Sequence, residues 1–196
     1  MITFALAVFF LIITPGPGVL SVAGVGSAFG FQAGTRYIGG LFIGTNLVAL
    51  AVVSGLATIL LANENLRLIL LVLSVGYLVY LASRIAFAGS KIAFKAADSA
   101  PGIRSGIFLQ IVNPKAYAVN TTLLTGFAFW PDSLVIETAL KFAIMNAIWL
   151  PIHFAWLYLG MTLHKMNLAP HIQRRVNIAM ALSMLIVVAL ALLAPK

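Results

Sequence analysis

Long apolar runs separated by short polar ones dominate this chain. A membrane helix needs about 20 predominantly apolar residues to cross about 30 Å of hydrocarbon. Six segments meet that requirement, at residues 3–27, 38–62, 66–88, 105–130, 134–160 and 175–194. Only "NEN" divides the second from the third, whereas "GSKIAFKAADSAPGIRS" separates the third from the fourth. No stretch reads as a soluble domain, a low-complexity tract or a long linker. The expected fold is all-α and integral to a membrane: one transmembrane domain over residues 1–196, with six helices. Residues 1–27 lack the basic start of a cleaved signal peptide and are read as a retained span.

Two of the runs contain breaks. The first carries Thr14-Pro15-Gly16-Pro17-Gly18, and the fourth carries Asn113-Pro114-Lys115. Proline removes a backbone donor and clashes with the preceding turn. In hydrocarbon each orphaned N–H or C=O costs several kcal/mol, so irregular backbone persists only where protein or a water-filled cavity satisfies it. Pro15 and Pro114 stand 99 residues apart. At the same offset, Gly40-x3-Gly44 in the second run corresponds to Ala139 and Ala143 in the fifth, with Ala147 continuing the row. Such small-residue faces let helix backbones approach closely. Asn46 and Asn146 miss that register by one residue. The pattern predicts two inverted three-helix halves, 1–98 and 99–196, with the first and fourth helices broken. Breaks at matching places in inverted halves point to a transporter's substrate site.

Composition agrees with this organisation and narrows the function. The chain is 62% hydrophobic and 8% charged, with a mean hydropathy of +1.09, whereas a soluble domain carries about 25% charged residues. A net charge of +8 could suggest nucleic acid, but the basic residues sit mainly between apolar runs, where they orient a membrane protein. Arg36, Arg84, Lys91, Lys95, Arg104, Lys165, Arg174 and Arg175 fall on the first, third and fifth connections. Arg67 and Lys196 fall on the other side, so both termini are expected outside the cytoplasm. There is no cysteine, no H-E-x-x-H and no G-x4-G-K-[ST], so no metal, cofactor or bound nucleotide is expected.

Lys115 lies about nine residues, or about 13 Å, into the fourth run, near mid-bilayer. A lysine at that depth is expensive and marks a functional site, here as counter-ion to a substrate carboxylate. Snorkelling to the interface is the structural alternative. Gln110, Asn120, Thr121 and Thr122 lie nearby. Glu137 and Lys141 are four apart, which suits either a helix ion pair or a proton carrier. His153 is either a hydrogen-bonded core histidine or a group that titrates during transport. Trp149 reads as packing.

With the T-P-G-P of residues 14–17 and the N-P-K of residues 113–115, the chain resembles the LysE/RhtB superfamily of amino-acid exporters, as an RhtB-like, LysE-type translocator. The resemblance covers the whole chain. It implies a bacterial inner-membrane exporter of amino acids or related small metabolites, driven by the proton-motive force and homo-oligomeric. The family's motifs fall on Thr14, Pro15, Gly16 and Pro17, and on Asn113, Pro114 and Lys115. Many members have an asparagine where this chain has Gly18, which removes a side-chain amide from the implied site.

The function expected is therefore secondary export by alternating access, with a small-molecule substrate and the lipid bilayer as partners and no nucleic acid. Thr14, Pro15, Gly16, Pro17, Gly18, Asn46, Asn113, Pro114, Lys115 and Asn146 form the expected substrate site, and Glu137 and His153 are the proton-coupling candidates. A passive channel or an importer would have the same architecture. An intramembrane enzyme would need a nucleophile with its base or a metal cluster, and no such spacing occurs.

Overall fold

The computed structural model describes residues 1–86 and 100–166, together with 171–172, 174–175, 178–179 and 182. Lys91 and Lys95 of the central connection lie outside the described residues, as does the expected sixth span, 175–194, apart from the positions just given.

Every element among the described residues is helical. Helix α1 covers Ile2–Ile13, α2 Pro17–Val53, α3 Leu56–Ala62, α4 Glu64–Ala86, α5 Ile103–Val112, α6 Pro114–Thr125 and α7 Leu134–Lys165. Segments within α2, α4 and α7 are long and apolar enough to cross a membrane, by length and composition. The outer surface is correspondingly apolar. Along α1, Phe4, Val8 and Ile12 are buried on one face, while Leu6, Phe9, Phe10 and Ile13 are exposed on the others. A helix that is apolar all round belongs in a protein interior or a bilayer. Ile59 is 70% exposed and Val135 80% among the described residues, which suits an apolar surrounding.

Helix α2 is the centre of the bundle. It is two helical stretches joined at Gly30, whose φ of 78° and ψ of −172° leave the helical region. Residues 28–37 were expected to be a connection, yet the chain turns there at one glycine and stays helical on both sides. A second left-handed glycine, Gly55 (φ 78°, ψ −6°), separates α2 from α3, so the expected span 38–62 is interrupted at Ser54–Gly55. The fourth run also ends early, with α6 stopping at Thr125 and the connection to α7 starting at Gly126.

Two crossings bring backbones together. A Cβ on Gly40 would collide with the carbonyl of Ile103, and one on Gly106 with the carbonyl of Tyr37. Earlier in α2, a Cβ on Gly26 would lie 2.9 Å from the carbonyl of Leu157, and Gly160 of α7 faces the carbonyl of Ala23 in the same intimate way. The glycine row of α2 thus acts as a packing face against α5. The alanine row of α7 does not correspond to it: Ala139, Ala143 and Ala147 are exposed, and α7 meets α2 through Gly160.

The connection between α6 and α7 is held by a buried ion pair. Glu137 Oε1 and Lys141 Nζ are 2.6 Å apart. Glu137 Oε2 accepts the backbone N–H of Trp130 at 2.9 Å and of Phe129 at 3.3 Å, and Lys141 donates to the carbonyl of Leu124 at 2.9 Å. Phe4 of α1 packs on the rings of Phe127 and Phe129, at 5.5 and 5.4 Å between centroids.

Candidate functional site

The helical ladder stops after Ile13 because Pro15 and Pro17 cannot donate to it. Thr14 closes α1 by donating its backbone N–H at 3.3 Å and its hydroxyl at 2.6 Å to the carbonyl of Phe10. The chain passes extended through Gly16 and re-enters a helix at Pro17, a first-turn position that proline suits. No side chain caps this start of α2. The carbonyl of Gly18 accepts from Ser21 Oγ at 2.7 Å, and Ser21 Oγ accepts in turn from the buried Tyr37 hydroxyl at 3.1 Å.

The second stop is tighter. α5 ends at Val112, Asn113 is extended, and Pro114 opens α6. Asn113 caps that helix, its Oδ1 accepting the backbone N–H of Lys115 at 3.1 Å while its Nδ2 donates to Gln110 Oε1 at 3.2 Å. The side chain of Asn113 is therefore used within its own turn.

Lys115 links the two interruptions. Its Nζ donates to the carbonyl of Thr14 at 2.6 Å, so an ammonium from the first turn of α6 sits on the C-terminal end of α1. Cations are stabilised there by the helix dipole and the free carbonyls. Gly16 makes this contact possible: a Cβ at that position would lie 2.8 Å from Lys115 Cδ and 3.0 Å from Nζ.

Between the interruptions lies an open cavity. One side is formed by Thr14, Gly16 and Gly18, and another by Gln110, Asn113 and Lys115. Asn46 of α2 and Asn146 of α7 complete a polar wall and are bonded to each other. His153 also lines the cavity. Its ring lies 3.5 Å from that of Trp149, at 15° to it, and its Nδ1 is 2.9 Å from the Trp149 carbonyl. Among the described residues this wall has no carboxylate. To an anion it offers the Lys115 ammonium, and to a cation only neutral oxygens and one imidazole.

The structure brings eight expected residues to this cavity: Thr14, Gly16, Gly18, Asn46, Asn113, Lys115, Asn146 and His153. Pro15, Pro17 and Pro114 stay out of the wall and act by shaping the backbone. Glu137 is away from it, engaged with Lys141 and the α6–α7 connection. Sequence reasoning missed Thr45, whose only signal is its place beside Asn46, and gave Trp149 no part in a site. Gln110 and Asn120 were noted as neighbours and are wall residues.

The two breaks in the helical ladder, the Lys115 ammonium and the apolar exterior together describe a largely apolar cavity with a polar wall inside a helical body. No solved structure matches the chain. The family model described as LysE type translocator matches residues 9–195. The chain belongs to the LysE type translocator family, and is a multi-pass membrane protein of a class that transports small solutes.

Proposed function

We propose that the protein is a secondary active exporter of amino acids or closely related small polar metabolites, working by alternating access and driven by the proton-motive force. In this reading six spans form two inverted three-helix repeats, with the first and fourth helices interrupted near mid-depth. The lengths of the half-helices support it. Twelve residues of α1 reach about 18 Å, a little over half of a ~30 Å hydrocarbon layer. The proposed setting is a bacterial inner membrane with both termini periplasmic and a homo-oligomeric assembly.

The observation that carries this reading is the contact of Lys115 Nζ with the Thr14 carbonyl at the wall of the cavity. A substrate carboxylate is a stronger acceptor for an ammonium than a neutral carbonyl, since it adds the attraction of a full opposite charge. It would take Lys115 from Thr14, and so act on a contact between the two halves. Asn113 positions Lys115 by capping its turn, and Thr14 holds the competing carbonyl in place. His153 and Glu137 are the groups proposed for proton coupling, and His153 alone of the two lies on the cavity.

The test is export from cells loaded by hydrolysis of dipeptides, over a panel of amino acids, with and without an uncoupler. Overexpression should speed the appearance of at least one amino acid outside, and the uncoupler should abolish the gain. Lys115→Ala should abolish it at normal membrane abundance. Export retained by that variant removes the lysine from substrate binding.

A further inference from the structure

We infer that the notch between Gly18 and His153 is the acceptor half of the binding site, receiving a hydrogen-bond donor carried by the substrate on the carbon next to its carboxylate. The inference rests on the reading of Lys115 as the carboxylate's partner and adds a second point of recognition.

The tautomer of His153 follows from its neighbour. A carbonyl oxygen only accepts, so the 2.9 Å contact with Trp149 puts the hydrogen on Nδ1. In the neutral ring the lone pair is then on Nε2. The stacking on Trp149 and the Nδ1 bond together fix the direction of that lone pair. The side chain is 3% exposed and no described residue hydrogen-bonds to Nε2. His153 lines the cavity, so the partner that this acceptor lacks within the protein comes from there.

Gly18 leaves that approach open. A Cβ at Gly18 would lie 3.7 Å from Nε2, in ordinary contact, and would narrow the space beside it. Two residues earlier, Gly16 lies against Lys115. The passage from extended Gly16 into the first turn of α2 is thus flanked by an ammonium donor and an imidazole acceptor. A carboxylate with an ammonium or hydroxyl on the neighbouring carbon satisfies both, whereas a simple carboxylate leaves Nε2 unmatched.

The experiment uses the purified full chain in detergent, titrated with the proteinogenic L-amino acids and, for each that binds, with the matched 2-hydroxy acid and the matched unsubstituted carboxylate. The wild type should prefer the amino acid or the hydroxy acid over the plain carboxylate by at least about tenfold, the size expected for a hydrogen bond to a charged or strongly polar group. His153→Asn keeps a donor for the Trp149 carbonyl and removes the Nε2 acceptor. Gly18→Ala fills the notch with one methyl group, in a first helical turn that tolerates it. Each should reduce the preference to less than about threefold, while Lys115→Gln weakens all three ligands. If His153→Asn does not fold, Gly18→Ala decides. An unchanged preference in the folded variants, with Lys115→Gln still weakening every ligand, overturns the notch and spares the proposed function. Absence of binding across the panel, or full binding by Lys115→Gln, overturns the carboxylate reading and the notch with it.

Discussion

Asn46 and Asn146 form a closed pair of amides. Each donates its Nδ2 to the other's Oδ1, at 3.1 and 3.0 Å, across a sequence separation of 100 residues. Asn46 also donates to the Phe42 carbonyl at 2.8 Å, which uses its second N–H. The pair ties α2 to α7 at the wall of the cavity by two bonds that depend on each other. Asn46→Ala and Asn146→Ala should each lower stability, and the double variant should lose less than the sum. Interhelical hydrogen bonds in membranes average about 0.6 and reach about 1.7 kcal/mol, which bounds the coupling expected from a double-mutant cycle of unfolding in mild detergent. Strict additivity would mean that the two amides are not paired in solution.

Gly16→Ala should separate assembly from transport. The three atoms nearest its methyl group would all belong to Lys115, a flexible side chain that can move aside. The variant is expected to insert and fold at normal abundance but to lose most transport, because the displaced ammonium no longer reaches the Thr14 carbonyl. Substrate binding by titration is the measurement, and wild-type affinity would contradict the arrangement.

Adjacent glycines of α2 should respond in opposite ways. Nothing lies within 4 Å of a Cβ built on Gly39, whereas one on Gly40 collides with the backbone of Ile103. Gly39→Ala should be neutral or stabilising by up to about 1 kcal/mol, the usual helix preference for alanine. Gly40→Ala should cost about 1–3 kcal/mol, the range for overpacking, because α5 must retreat. Thermal unfolding of the two variants side by side checks the sign of each.

The two left-handed glycines should tolerate asparagine unequally. Gly55 (ψ −6°) is in the left-handed helical region that asparagine visits, while Gly30 (ψ −172°) is in a region essentially reserved to glycine. Gly30→Asn is expected to cost about 1–3 kcal/mol although no side chain surrounds it, and Gly55→Asn markedly less. Equal melting temperatures would argue against the bend.

Glu137→Gln should lower the melting temperature by loosening the connection between α6 and α7. Lys141→Met should do the same, and the pair together should cost less than the sum, because each single change leaves one buried charge alone. If Glu137 instead carries the transported proton, Glu137→Gln will abolish uncoupler-sensitive export at unchanged stability.

Much of the polar wall of the cavity was legible because backbone chemistry writes itself into sequence. Proline cannot donate, so Pro15, Pro17 and Pro114 mark where the helical ladder stops, and a lysine next to such a stop is conspicuous in an apolar run. The Asn46–Asn146 pair was visible only as two similar residues at nearly equal offsets. Which amides meet depends on how α2 and α7 rotate against each other, and residue order does not carry that angle. Gly30 was illegible for a related reason. A glycine that turns a helix and one that packs a helix are the same letter, and only its φ distinguishes Gly30 from Gly40. The alanine row of α7 misled because small residues permit close approach without requiring it.

The turn at Gly30 has a mechanical corollary. With no loop between the stretch bearing Gly18 and the stretch bearing Asn46, any movement of one relative to the other must be taken up at Gly30 itself. A single residue thus stands between the place where a solute would enter beside Gly18 and the amide clasp on the far wall.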